Sequence, residues 1–225
     1  MIVQPLEAVV AAAFGGPEPG AFGVGGIRPD VTAAEIAAAE SRVGGALPEA
    51  LKDYYAVAGR YDGMMAAHSR FLAPDQLQAT DGHVVFCHEN QHVMEWGIRV
   101  DELGLPNPAV YGQMVNGPDA GRWFAESATL SAFLLGFGSW QAVLSSEESA
   151  ECELPEDIQP KLTKWFDPVG EAEVRQGGPL IGYVNRKRHL VAAHDVKHSM
   201  LYVGTSAEDG LEKFEKRSHL DLNWY

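Results

Sequence analysis

Residues 87–92 read CHENQH, and His88-Glu89-Asn90-Gln91-His92 within them matches the zinc-protease pattern H-E-x-x-H. The chemistry behind that pattern needs a helix. Two His four apart then share one face and bind Zn²⁺, while the Glu activates a water. The flanking residues decide whether a helix is available. Upstream, His83-Val84-Val85-Phe86-Cys87 follows the turn pair Asp81-Gly82, a β-branched and aromatic run that predicts a strand. Downstream, Met94, Trp96, Ile98 and Val100 alternate with Glu95, Gly97 and Arg99, the period-two pattern of a half-buried strand. Two strands with Glu89-Asn90-Gln91 between them predict a hairpin, because Asn tolerates turn conformations. The expectation is histidines at a solvated hairpin tip and no bound metal.

Other reactive constellations are no stronger. His189, His194 and His198 straddle an expected strand and turn, so ordinary surface or core histidines are expected there. The stretch GFGSW lacks the G-x-S-x-G of a nucleophile elbow, and Asp62 and Asp75 have no spacing that makes them a catalytic pair. No catalytic residue, cofactor or metal ligand is expected. The two cysteines, Cys87 and Cys152, form neither a disulfide framework nor a C-x-x-C pair.

The elements that must position any site read as follows. Leu6 to Phe14 predicts a short helix, and residues 15–26, with six Gly and two Pro, a linker. No Lys-Ser or Lys-Thr follows those glycines, which argues against a phosphate-binding loop. Thr32 and Glu35 form a capping box, with Val31 and Ile36 at the spacing of a hydrophobic staple. The helix they start stops at Gly44-Gly45. A second helix begins with Pro48 in its first position and carries the stripe Leu51, Tyr54, Tyr55 and Ala58. Strands are expected over 83–88, 93–100, 110–115 and 122–125. A closing helix follows, with the apolar face Leu130, Phe133, Leu134 and Phe137, Ser127 as its cap and Gly138 as its stop. Residues 147–157 carry six acids and no base, which predicts a solvated loop. Strands over 180–184, 189–193 and 200–204, a short helix capped by Ser206 and Asp209, and a last strand in HLDLNWY complete the chain. This is an α+β arrangement: a helix pair, a mostly meander antiparallel sheet, a closing helix on the sheet and a C-terminal α/β extension. The expected division is 1–26 (helix and linker), 27–145 (the main α+β domain) and 146–225 (acidic loop and extension packed on the same domain).

The net charge of −14 argues against nucleic acid as partner, since phosphate needs a basic surface. It suits a basic protein partner, with solubility alone as the other reading of the charge. The first residues lack the basic region of a signal peptide, and no apolar run reaches the length of a membrane span. The expected address is the cytoplasm.

The helix pair joined by GGALPEALKDYYAVAGRYDG, the block VVFCHENQHVMEWGI, and NPAVYG followed by RWFAESATLSAFLLGF resemble the SUKH superfamily of Smi/Knr-type proteins. The resemblance covers residues 32–144, with Asn107 where Asp would be expected before Pro108. It implies a non-catalytic role, in bacteria most often that of an immunity protein that binds and neutralises a toxin domain. An intracellular regulatory scaffold is the alternative, and a zinc hydrolase built on HENQH the remote one. For a toxin-binding surface the candidates are Glu147, Glu148, Glu151, Glu153, Glu156 and Asp157 with nearby Trp140, and the hairpin tip at Glu89. Charge there would steer encounter while desolvated aromatics hold the complex.

Overall fold

Thr32 and Glu35 cap a helix reciprocally: the Glu35 amide donates to the Thr32 hydroxyl, and the Thr32 amide donates to the Glu35 carboxylate at 2.7 Å. The structure is a computed structural model that describes residues 2–14, 29–174 and 178–224; the linker expected at 15–26 lies outside the described residues. Among the described residues the fold opens with the helices α1 (Val3–Phe14), α2 (Ala33–Val43), α3 (Glu49–Ala58) and α4 (Asp62–Ala66). The α2 helix ends at Gly44, whose φ of 81° is the left-handed conformation that suits glycine. Pro48 is the residue before α3 rather than its first turn. The predicted stripe of α3 is buried throughout.

The first sheet contains β1 (Arg70–Phe71), β2 (Gln78–Thr80), β3 (His83–His88), β4 (Met94–Arg99), β5 (Val110–Met114) and β6 (Trp123–Ser127). Its order is β1-β3-β4-β5-β6, with β2 paired to β3 beside β1, and every pairing is antiparallel. The second sheet contains β7 (Glu148–Glu153), β8 (Asp167–Val174), β9 (Gly178–Asn185), β10 (Leu190–Asp195), β11 (Met200–Thr205) and β12 (Asn223–Trp224), in the order β12-β7-β11-β10-β9-β8. Between the sheets runs α5 (Leu130–Leu144); α6 (Gly210–Ser218) covers the far side of the second sheet. The α+β class is as expected, and the C-terminal part is a second antiparallel sheet.

Local expectations fail in three places. The closing helix is capped by Thr129, whose hydroxyl accepts from the Ala132 amide, while the Ser127 hydroxyl donates to the Thr129 carbonyl. It also runs through Gly138 to Leu144, because burial on all sides outweighs the local cost of glycine. Phe133 and Phe137 face Trp96 of the first sheet, with ring centroids 5.6 and 5.0 Å away. The opposite side of the helix lies on a groove of small residues in the second sheet. A Cβ at Gly182 would sit 2.2 Å from the Ser139 hydroxyl, and one at Gly170 2.4 Å from the Leu135 Cβ. Those two glycines are cross-strand partners, so the close approach spans both strands.

The second failure concerns the acidic run. Residues 148–153 are strand β7, paired along its length with β11, rather than a solvated loop. Its pattern is one of alternation: Ala150 and Cys152 enter the core under α6, while Glu151 and Glu153 point the other way. The run of acids conceals a period-two strand. Third, among the described residues of HLDLNWY only Asn223–Trp224 form a strand, the edge strand β12, and α6 starts after Asp209 without a side-chain cap. One core cluster joins α1, the first sheet, α5 and residues of β9 and β10. The C-terminal end of α1 docks on the last third of the chain, where the Ser206 amide and hydroxyl both donate to the Ala12 carbonyl. Among the described residues no helix is long and apolar enough to cross a membrane.

Candidate functional site

The HENQH segment is the predicted hairpin. His88 ends β3, Met94 begins β4, and the Glu89 amide donates to the Met94 carbonyl to close the loop. The left-handed residue of the turn is His92, with φ of 55°, rather than Asn90. The Glu89 carboxylate accepts from the backbone amides of Gln91 and Val93, so it shapes the turn. A helical zinc-protease arrangement is therefore not formed. The acid of the motif is engaged with its own loop.

The hairpin nevertheless brings the two histidines together by another route. His88 and Glu95 are direct cross-strand partners, and the turn at His92 folds that side chain back over the same point. Both imidazole Nε2 atoms face one carboxylate oxygen of Glu95, at 3.6 Å from His88 and 3.5 Å from His92. The two rings stack with centroids 4.4 Å apart. The other Glu95 oxygen accepts from the side-chain amide of buried Gln113, the cross-strand neighbour on β5. Burial, and then the neighbouring His92, hold the His88 imidazole below its ordinary pKa against the pull of Glu95; the cation of Arg70 adds to the lowering. His88 thus favours its neutral form at neutral pH. Sequence alternation placed Glu95 on the polar face of its strand, but only the length of the turn sets it opposite His88.

From the same hairpin a second surface extends. The Asn90 side chain lies 3.4 Å from Nε2 of His68, and the His68 ring stacks on Trp140 with centroids 4.5 Å apart. Trp140 is half-buried and leans toward Tyr202 of β11 at 6.2 Å. Tyr202 is directly across from Glu151, and Met200 from Glu153. Burial, followed by the nearby carboxylates of Glu151 and Asp195, raises the Tyr202 phenol above its ordinary pKa. Burial lowers that of His68, opposed by Glu89. The two sequence candidates, the hairpin tip and the Trp140 region, are thus ends of one continuous face.

The six acids do not form one patch. Glu151 and Glu153 lie beside Tyr202 and Met200, on the Trp140 side. Glu148 points to the opposite side of β7 beside Thr205, with one carboxylate oxygen buried and unpartnered among the described residues. Glu147 is exposed before the strand. Glu156 and Asp157 are exposed beyond Pro155, where Asp157 pairs with Lys161 at 3.0 Å. An exposed aromatic that the sequence reading missed is Trp224 of β12, 47 % exposed on the edge next to β7. His194, the penultimate residue of β10, is 1 % exposed, while His189 and His198 lie beyond opposite ends of that strand; they form no cluster.

Set against known proteins, the chain matches no family model, no curated protein and no solved structure.

Proposed function

We propose that this protein is a non-catalytic binding protein that neutralises a basic protein partner, in the manner of an immunity protein holding a toxin domain. The observation that carries the reading is the face built from Glu151, Glu153, Tyr202, Trp140 and His68, ending at the hairpin tip. It combines carboxylates with half-buried aromatic rings, the mixture in which charge speeds encounter and desolvated rings hold the complex. The net charge of −14 supports a basic partner. The resemblance of residues 32–144 to SUKH proteins supports the immunity role over that of a regulatory scaffold. Two buried free cysteines, Cys87 and Cys152, suit a reducing compartment, so the proposed place of action is the cytoplasm.

The test is co-expression with a toxin domain encoded beside this chain's gene, followed by association kinetics with the purified domain. Glu151→Gln/Glu153→Gln should slow association and flatten its dependence on salt, while the fold stays intact. Unchanged rescue, association rate and salt dependence in that variant would remove this face from the binding site.

A further inference from the structure

Independently of the proposed partner, the hairpin tip carries a donor set for a metal ion. The ligand atoms of His88, His92 and Glu95 all lie within 4.8 Å of one another. Ligand bonds of about 2.0–2.2 Å to a tetrahedral Zn²⁺ place neighbouring donors about 3.4 Å apart. The two imidazole–carboxylate separations, 3.5 and 3.6 Å, are close to that edge length with no rearrangement of the backbone. We infer that His88, His92 and Glu95 form a binding site for one divalent first-row transition-metal ion, with the fourth position left to water or to a side chain of a bound partner.

Three features beyond proximity favour this assignment. Two imidazoles and one carboxylate are the donor types that suit Zn²⁺ and its neighbours, rather than Ca²⁺ or Mg²⁺, which take oxygen ligands. Gln113 holds the Glu95 carboxylate from behind, the outer partner that orients a metal-binding carboxylate. His92 occupies a left-handed conformation in which its ring reaches Glu95, three residues further along the chain. A simple ion pair needs only one histidine on that carboxylate, whereas here both point at the same oxygen. The opposing feature is Arg70, the cross-strand partner of His88, whose charge weakens the site for any cation. The Glu89 carboxylate is tied to the turn amides, so the site is assigned to binding and not to hydrolysis.

The experiment uses the full chain, stripped with a chelator and dialysed. It is titrated with ZnCl₂ by calorimetry, and with CoCl₂ while visible absorption is followed. The expected result is one equivalent of Zn²⁺, with Co²⁺ giving the strong ligand-field bands of a low-coordinate site. His92→Ala removes an exposed ligand and Glu95→Gln removes the charge while keeping the shape. Each should weaken Zn²⁺ binding by more than the about 10–100-fold typical of losing an outer-shell partner. His198→Ala, at the far end of β10, should leave it unchanged. Thermal melts without metal establish that each variant is folded, and His92→Gln replaces His92→Ala if the latter is not. Wild-type uptake well below one equivalent would overturn the site. So would full uptake by either ligand variant.

Discussion

Gln141 is buried at 2 % exposure in the last turns of α5, and its side chain holds the segment that links α4 to β1. Its amide oxygen accepts from the backbone N–H of His68 at 2.7 Å and of Ser69 at 3.0 Å. Its amide nitrogen donates to the carbonyls of Ser69 and, more distantly at 3.4 Å, Met64. Gln141→Met keeps the length and most of the volume but removes every one of these bonds. Each buried group left without a partner costs about 1–3 kcal/mol. Ser69 is 1 % exposed, so its N–H and C=O carry the full penalty. His68 is half-buried, and its N–H is discounted because water can reach it. The sum is about 3–5 kcal/mol, a large part of the about 5–15 kcal/mol that holds a domain together. Equilibrium urea unfolding reads this directly, provided the slope with denaturant is unchanged from wild type. Hydrogen exchange supplies the local readout: the amides of His68 and Ser69 should lose protection ahead of those in β3 and β4. A destabilisation below about 1 kcal/mol, or unchanged protection at both amides, would refute the reasoning. Because His68 stacks on Trp140, the same substitution should also alter Trp140 fluorescence.

Phe133 is fully buried and packs against the rings of Phe86, Trp96 and Phe137, so Phe133→Ala should cost about 3–5 kcal/mol in urea unfolding; under about 1 kcal/mol would contradict the central placement of α5. His194 sits in β10 with Nδ1 unpartnered among the described residues, and burial depresses its pKa below the ordinary 6.5 despite Asp195. A depressed histidine means that the unfolded chain binds more protons than the folded one. Its contribution is complete above the ordinary value and is lost as pH falls through the depressed one. Stability should therefore decline as pH falls below the ordinary histidine value, and His194→Leu should flatten that decline, with His68 and His88 keeping part of it. An unchanged slope in the variant would show that His194 does not titrate with folding.

Local signals settled much of this chain without help. The Thr32/Glu35 box, the α3 stripe and the two strands flanking HENQH depend on contacts within a few residues, where capping and periodicity act, and each appears where the sequence placed it. The hairpin itself follows from those flanks, and so does the loss of a helical H-E-x-x-H. What only the tertiary structure decided are the features with partners far away in the chain. Gly138 reads as a helix stop, yet the helix continues, since contacts with both sheets outweigh the propensity of one residue. The acids of residues 148–153 read as solvent-loving, but pairing with β11 turns them into a strand with two unlike faces. The convergence of His88 and His92 on Glu95 needed the strand register and the left-handed turn residue together. Neither is written in the spacing of the letters, because a one-residue slip would send Glu95 to the other face of its strand.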